Sequence, residues 1–248
     1  MKFRLKALGW HFAVSATALL VILGTLYMGW YRWPGWYLAG MLTILPIVVA
    51  VDAALGPLMT FIIAKPTKPR EELARDIAVI VGVQLLALAY GAFTLWSGRP
   101  LYYAYSGKEL SVVQASDLEP TVIALSQQTN AAFAPYWYSR PQWVYAPPPD
   151  GKGVAAAQAS ATGSDSTETP SDMKPWSEGL PDLKKKLQKV DDWKYFSSVM
   201  KQNLKQRMTA QGYAADAADT RPLTGRGAPL LAIFDTNTMT IRTLLRAD

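Results

Sequence analysis

The hydrophobic residues of this chain are concentrated at its amino-terminal end, where they form long uninterrupted runs. The runs lie at about 8–30, 37–64 and 77–96. Each is long enough to cross the roughly 30 Å hydrocarbon core of a bilayer as a helix. The middle run is longer than the core requires, and it contains Pro46 and Pro57, each of which removes a backbone donor and predicts a kink. The pattern therefore predicts a transmembrane domain over residues 1–97, built as a three-helix transmembrane bundle.

The first run follows a short basic amino terminus, so a cleaved signal peptide is an alternative to an anchoring helix. No small-x-small cleavage site follows this run. It ends instead in an aromatic cluster between Tyr27 and Trp33, which is typical of a membrane interface. We therefore expect the first helix to remain in the protein.

From residue 98 the pattern changes to short strand-like and amphipathic runs. The predicted elements are strands at 101–105 and 109–114, a short helix at 117–129, a long helix at about 183–211, and a hairpin at 229–245. Residues 147–181 are rich in Pro, Gly, Ala, Ser, Thr and Asp, a composition typical of a flexible segment. We expect residues 98–248 to form a small α+β domain, an antiparallel sheet with one long helix.

The basic residues indicate which way the predicted helices run. The net charge is +6, but many of the cations flank the apolar runs, and no basic–aromatic platform or zinc-finger spacing accompanies them, so we expect no nucleic acid partner. The amino terminus carries three Lys or Arg and the 65–76 loop carries four, whereas only Arg32 separates the first two runs. The positive-inside rule places both basic segments in the cytoplasm. Three crossings predict a multi-pass membrane protein with its α+β domain on the far side of the membrane, which in a bacterium with two membranes is the periplasm.

Asp52 is the one carboxylate within the apolar runs. A charged side chain at the bilayer centre costs at least about 2.5 kcal/mol, so such a group is protonated, paired or next to something polar. One interpretation is an internal hydrogen bond to Gln84, to Thr60 or to a backbone group freed by Pro57. The other is a contact with a cation on the helix of a partner.

The residues that catalysis usually needs are scarce. The chain has no cysteine, its one histidine is His11, and it contains no Gly-x-Ser-x-Gly elbow, HExxH or phosphate-binding loop. An aspartyl intramembrane protease would need a second membrane aspartate beside Asp52. We therefore expect neither an enzyme nor a cofactor. A small oligomeric transporter or proton relay using Asp52 remains an alternative, as does a periplasmic sensor that signals through a partner.

Aromatic residues crowd positions 133–149 and include Tyr136, Trp137, Tyr138 and Trp143. They predict either a packed aromatic loop or a contact surface, because aromatic side chains anchor interfaces.

Five short motifs carry a family resemblance: MKFRLKA at 1–7, VDAALGPLMT at 51–60, KP at 65–66, QLLALAYG at 84–91 and GRP at 98–100. Together they resemble the TfpX/TfpZ family of type IV pilin accessory proteins. The resemblance covers residues 1–120 best and little of 147–180.

The resemblance implies an inner-membrane, non-enzymatic protein that assists the production, stability or assembly of a cognate pilin. The implied partners are a major or minor type IV pilin, the inner-membrane pilus assembly platform and the lipid bilayer. With the polar and aromatic positions above, it makes the following residues our candidates for partner binding: Asp52, Gly56, Pro57, Gln84, Tyr136, Trp137, Tyr138 and Trp143.

Overall fold

The computed structural model describes residues 1–51, 56–64, 68–148 and 169–247. The chain divides into two compact units. The helical unit comprises Met1–Gly29 and Met41–Ser97, and the sheet unit comprises Trp30–Gly40 and Gly98–Asp248. Trp30–Gly40, hereafter the connector, therefore belongs to the sheet unit, although it lies within the predicted transmembrane region.

The helices are α1 (Lys2–Gly29), α2 (Gly35–Leu38), α3 (Met41–Val49), α4 (Gly56–Ile63), α5 (Arg70–Ser97), α6 (Pro120–Thr129), α7 (Trp176–Lys185) and α8 (Ser198–Ala210). The strands are β1 (Pro100–Tyr105), β2 (Leu110–Gln114), β3 (Gln142–Tyr145), β4 (Lys174–Pro175), β5 (Thr220–Thr224), β6 (Leu230–Phe234) and β7 (Ile241–Arg246).

In the part of the chain that the structure describes, two helices, α1 and α5, are long and apolar enough to cross a membrane. Most of their apolar side chains face outwards, among them Leu20, Val21, Leu86 and Phe93. A helix that is apolar on its outer faces is stable in lipid rather than in water. These features are consistent with a membrane-associated protein.

The middle apolar run forms two shorter helices, α3 and α4, on either side of residues 52–55, which lie outside the described residues. Pro46 lies inside α3, and Pro57 lies in the first turn of α4, where the missing backbone donor is tolerated. α4 packs against α1 and α5, and α3 packs against α5. A continuous third span is therefore not shown, and the three-helix bundle stays a prediction.

The predicted antiparallel sheet is wrong in part, because the described strands form one mixed sheet in the order β4-β3-β1-β2-β5-β6-β7. The pairs β1–β2, β3–β4, β5–β6 and β6–β7 are antiparallel, which includes the predicted carboxy-terminal hairpin. The pairs β1–β3 and β2–β5 are parallel. Parallel neighbours come from distant parts of the chain, so local hairpin signals do not reveal them.

The predicted long helix at 183–211 is also wrong. The segment between α7 and α8 leaves the helical path, and the backbone of Gln188 exchanges two hydrogen bonds, of 3.1 and 3.2 Å, with that of Thr220, the first residue of β5. Ser197 then starts α8 by accepting a hydrogen bond from the amide of Met200. A contact with a distant strand thus replaces the helical hydrogen bonds that the apolar spacing predicted.

The predicted flexible segment at 147–181 is ordered in its last part. A 3₁₀ turn at Pro170–Asp172 is followed by β4 and α7. Tyr145 of β3 packs so closely against Gly179 that a Cβ there would overlap its ring. Residues 149–168 lie outside the described residues.

The core of the sheet unit lies on both faces of β6. Leu231 and Ile233 pack with Leu204 and Met208 of α8. The alternate residues of β6 contribute to a second cluster that includes Leu183 of α7. Successive side chains of a strand point to opposite faces, so a strand covered on both sides is apolar throughout, as β6 is.

The connector is part of this core. Leu38 is fully buried in the same cluster as Leu183, and its carbonyl oxygen accepts a 2.8 Å hydrogen bond from the amide of Gly227. Gln114 donates its side-chain amide to the carbonyl of Ala39 at 3.2 Å. A Cβ at Gly227 would overlap the connector backbone, so glycine at that position allows the close approach.

A buried arginine ties β5 to neighbouring loops of the sheet unit. Arg221 donates to the carbonyl oxygens of Lys186 and Lys108, and its guanidinium lies 5.2 Å from the ring centroid of Tyr105. Burial lowers the pKa of Arg221. The ammonium of Lys186 and the hydroxyl of Tyr105 hold the pKa of the Asp182 carboxyl below its usual range. The buried Arg221 is thus bonded to carbonyl oxygens, as a buried polar group must be, whereas Asp182 and Lys186 pair near the surface.

Candidate functional site

Four polar side chains meet inside the helical unit and form what we call the polar network: His11 and Ser15 of α1, Thr60 of α4 and Gln84 of α5. The Nδ1 atom of His11 lies 2.5 Å from the Oγ1 of Thr60, and its Nε2 lies 2.7 Å from the Oε1 of Gln84. The amide of Gln84 donates to the Oγ of Ser15 at 2.8 Å. One hydrogen-bonded network therefore joins three helices.

Helical spacing brings these residues together. His11 and Ser15 are four positions apart on α1, and residues four apart share one face of a helix. On α4, Gly56 and Thr60 have the same spacing, and the Thr60 hydroxyl donates to the carbonyl of Gly56 at 3.1 Å. A Cβ at Gly56 would overlap the side-chain amide of Gln84. Glycine at this position therefore lets α4 approach α5 closely enough for the network to close.

The hydrogen bonds in the polar network follow from the groups available. Thr60 has one hydroxyl proton, so when it donates to Gly56 the Nδ1 of His11 is the donor to Thr60. The side-chain amide of Gln84 has an NH2 group that donates and a carbonyl oxygen that accepts. Depending on which way the amide is turned, it can therefore accept a hydrogen bond from the Nε2 of His11 or donate one to it. Ser15, Thr60 and Gln84 are buried, where such bonds cannot be exchanged for bonds to water.

A cavity of about 370 Å³ lies beside the polar network within the helical unit. All four network residues line it, and the remaining walls are mostly apolar. Those walls include Trp10, Val14, Ala18, Val81, Leu85 and Leu88. A mostly apolar cavity with a few convergent polar groups is the usual form of a binding site for an apolar ligand that carries a polar group.

The structure places the candidate residues of the membrane region in different ways. Asp52 lies outside the described residues. Gly56 and Pro57 are buried in α4, and Gln84 lies at the centre of the polar network. His11, which we named from the sequence only as the one histidine of the chain, is half-buried in the network. Its spacing to Ser15 was the one signal in the sequence that could have placed it there.

The aromatic candidates do not form one surface. Trp143 lies in β3, where its ring centroid is 4.7 Å from that of Tyr103 and 5.2 Å from that of Trp176. These rings belong to the core of the sheet unit, and burial raises the pKa of Tyr103 to about 12. Trp137 and Tyr138 are exposed in a loop. The two alternatives therefore apply to different residues. Trp143 is packed in the core, whereas Trp137 and Tyr138 are available for contact with a partner.

The described ranges contain no group of three or more His, Asp or Glu residues placed to hold a metal ion.

Comparison with known proteins finds relatives for part of the chain. No family model matches it, and no solved structure does. Over 116 residues, 47% of this chain, it is 28% identical to three proteins of Dichelobacter nodosus, the fimbrial assembly proteins of serogroup I, of serogroups C1 and C2, and of serogroup E1. The match covers 88% of the C1 and C2 protein but 45% of the other two, so the chain spans about half the length of those relatives. Over nearly half of its length, the chain is similar to fimbrial assembly proteins.

Proposed function

We propose that this protein is a non-catalytic membrane accessory protein of type IV fimbrial biogenesis, which holds a cognate pilin in the inner membrane and promotes its assembly. The similarity to fimbrial assembly proteins over 116 residues carries the proposal. The motif resemblance to the TfpX/TfpZ accessory proteins supports the finer assignment to a pilin.

The proposed topology has three crossings, with the amino terminus in the cytoplasm and the sheet unit in the periplasm. The arrangement of the chain supports it. The connector follows α1 directly, residue 98 follows α5 directly, and both belong to the sheet unit, which must lie on one side of the membrane. When α1 and α5 both cross, the chain between residues 41 and 69 has to cross back. The basic loops then set the direction.

The proposed contact with pilin is the cavity beside the polar network. Lipid tails are as apolar as leucine, so helices in a bilayer associate through close packing and through hydrogen bonds between them. The cavity offers both, since its walls are mostly apolar and the groups of the polar network lie along one part of it. An apolar pilin helix that places one side chain in this cavity would be recognised by shape and by hydrogen bonding.

In-cell photocrosslinking tests this contact. A photoreactive residue at Leu85, which lines the cavity and is 59% exposed, should crosslink to pilin. Leu86 is the matched control, because it is the next residue of α5, is 74% exposed and does not line the cavity. Equal crosslinking from both positions, or none from Leu85, would contradict the proposed contact.

Asp52 provides a second test of the same proposal. If Asp52 pairs with a cation on the pilin helix, Asp52→Asn should weaken crosslinking from Leu85 while the abundance of the protein is unchanged. If Asp52 is bonded internally, abundance and crosslinking should fall together, because a buried polar group has lost its partner. Immunoblotting of the same membranes measures both quantities.

A further inference from the structure

A rigid turn of exposed aromatic residues projects from the sheet unit. Trp137 is 70% exposed and Tyr138 is 59% exposed. The rings of Tyr136 and Tyr138 stack with centroids 5.5 Å apart and planes 8° apart, and the ring of Trp137 meets that of Tyr138 edge-on at 5.5 Å. Ser139 closes the turn, because its hydroxyl accepts a 2.9 Å hydrogen bond from the amide of Tyr136. Residues 136–139, hereafter the aromatic turn, are therefore preorganised.

The aromatic turn is bonded to the residue at which the first apolar helix ends. The indole Nε1 of Trp30 donates a 2.6 Å hydrogen bond to the carbonyl oxygen of Ser139. Trp30 comes directly after Gly29, the last residue of α1, and lies in the same unit as the aromatic turn. Once α1 crosses a bilayer, the aromatic turn is therefore held within one side chain of the membrane surface.

The exposed residues around this point have the chemistry of a membrane interface. Trp33 is exposed and directly follows Arg32, and Arg140 directly follows the aromatic turn. Both arginines are exposed. Trp and Tyr are enriched where bilayer and water meet, because each combines an apolar ring with a polar atom. Arg forms strong hydrogen bonds to phosphate oxygens.

We propose that Trp137 and Tyr138 insert into the headgroup layer of the membrane that α1 crosses, and that they hold the sheet unit against the bilayer surface. The occupant of this surface is phospholipid. The connection to Trp30 favours lipid over a protein partner, because it places the aromatic rings next to lipid whether or not another protein is present. The proposal rests on α1 crossing a bilayer and does not depend on the contact with pilin.

Site-directed spin labelling tests the proposal, and the absence of native cysteine makes each label unique. Trp137→Cys, Tyr138→Cys and Val199→Cys are labelled in the full-length protein, in nanodiscs of phosphatidylethanolamine and phosphatidylglycerol. Val199 is the matched control, since it is 66% exposed on α8 of the same unit. Collision rates are measured with oxygen, which partitions into lipid, and with a water-soluble nickel chelate.

Labels at 137 and 138 should collide with the nickel chelate several-fold less often than the label at 199, and more often with oxygen. Equal access of the chelate to all three positions would overturn the proposal. The proposal would also be overturned if the chelate reached labels 137 and 138 freely in nanodiscs and less often only after purified pilin was added. That result would identify a protein-binding surface instead.

A measurement without labels guards against disturbance by the nitroxide. Lipid brominated near the carbonyl end of its acyl chains quenches indole emission on contact. Trp137→Phe should reduce the quenchable share of the emission, whereas Trp193→Phe, which removes a half-buried indole bonded to Thr220, should not. An unchanged quenchable share in Trp137→Phe would contradict lipid contact.

Discussion

At the scale of single residues, the packing of the helical unit depends on Gly56, which leaves room for the side chain of Gln84. Gln84 is buried between helices and bonds to His11 and Ser15, and Gly56 leaves the space that its amide occupies. Interhelical hydrogen bonds in membrane proteins contribute about 0.6 kcal/mol each on average. The network therefore serves chiefly to set which faces of the helices meet.

Replacing Gly56 with alanine should destabilise the helical unit by about 1–3 kcal/mol, because the new methyl group overlaps the Gln84 amide and the helices must separate. Gly82→Ala on α5 is the control, since no atom lies within 4 Å of the added Cβ. Alanine there should be neutral or stabilising by roughly 0.5–1 kcal/mol. Denaturant unfolding of the purified protein in detergent measures both changes. A Gly56→Ala protein as stable as Gly82→Ala would contradict the packing described here.

The turn between β6 and β7 makes the sheet unit sensitive to acid. The guanidinium of Arg242, with help from the backbone amides of Asn237 and Thr238, holds the pKa of the Asp235 carboxyl at about 2 instead of its usual 3.8. The folded state thus favours the ionised carboxylate. The stabilisation is complete above the pKa of the unfolded chain and is lost as the pH falls from there towards the folded value.

Asp235→Asn should therefore flatten the dependence of stability on pH between about 4 and 2, because asparagine has no proton to gain. Wild type and variant are compared by urea unfolding at a series of pH values across this range. Parallel pH profiles for the two proteins would show that the Arg242 contact does not contribute.

At the scale of elements, the connector contains the short helix α2, which completes the core of the sheet unit. Tyr37 and Leu38 pack in the cluster that includes Leu223 and Leu230 of the sheet. The guanidinium of Arg246 on β7 lies 4.8 Å from the ring centroid of Tyr37. A segment between two apolar helices thus contributes to the stability of a unit whose other residues begin at position 98.

Leu38→Ala should destabilise the sheet unit by about 2–5 kcal/mol, the usual range for removing a buried leucine side chain. Leu42→Ala is the matched control, because Leu42 is exposed on α3 in the helical unit. Limited proteolysis of the full-length protein, followed through fragments of residues 98–248, measures the stability of the sheet unit. Equal protection in both variants would mean that the connector is not part of the core.

At the scale of the whole molecule, the path of the chain constrains its topology. The connector and residues 98–248 fold as one unit, so they lie on the same side of any membrane that α1 and α5 cross. The direction that we propose, from the distribution of Lys and Arg, puts this unit in the periplasm. The compartment can be tested because the chain has no cysteine of its own.

The double variant Gly40→Cys and Arg226→Cys should form a disulfide in living cells. A Cβ built at Gly40 lies 3.6 Å from the Cβ of Arg226, within the 3.5–4.5 Å range typical of disulfides. A residue other than glycine at the positive φ of Gly40 costs roughly 1–2 kcal/mol, which the crosslink, at typically 2–4 kcal/mol, offsets.

Trapping of free thiols with a maleimide–polyethylene glycol before cell lysis measures the disulfide, with each single variant as a control. The periplasm is oxidising and the cytosol is reducing. Thiols that stay reduced in cells but oxidise in the purified protein would place the sheet unit in the cytoplasm. Thiols that oxidise in neither would contradict the packing of the connector.

Local patterns in the sequence predicted the two long apolar helices, the first two strands and the hairpin of β6 and β7, and the motif resemblance singled out Gly56 and Gln84, which meet at the polar network. Each of these elements depends on neighbours within a few positions, through helical spacing, strand composition or a turn. Only the tertiary structure shows that His11 meets Thr60 and Gln84 across 49 and 73 positions, that the connector completes the sheet unit, and that parallel pairs link β1 to β3 and β2 to β5. These contacts form between residues far apart in the chain, where burial and hydrogen bonding outweigh local preference.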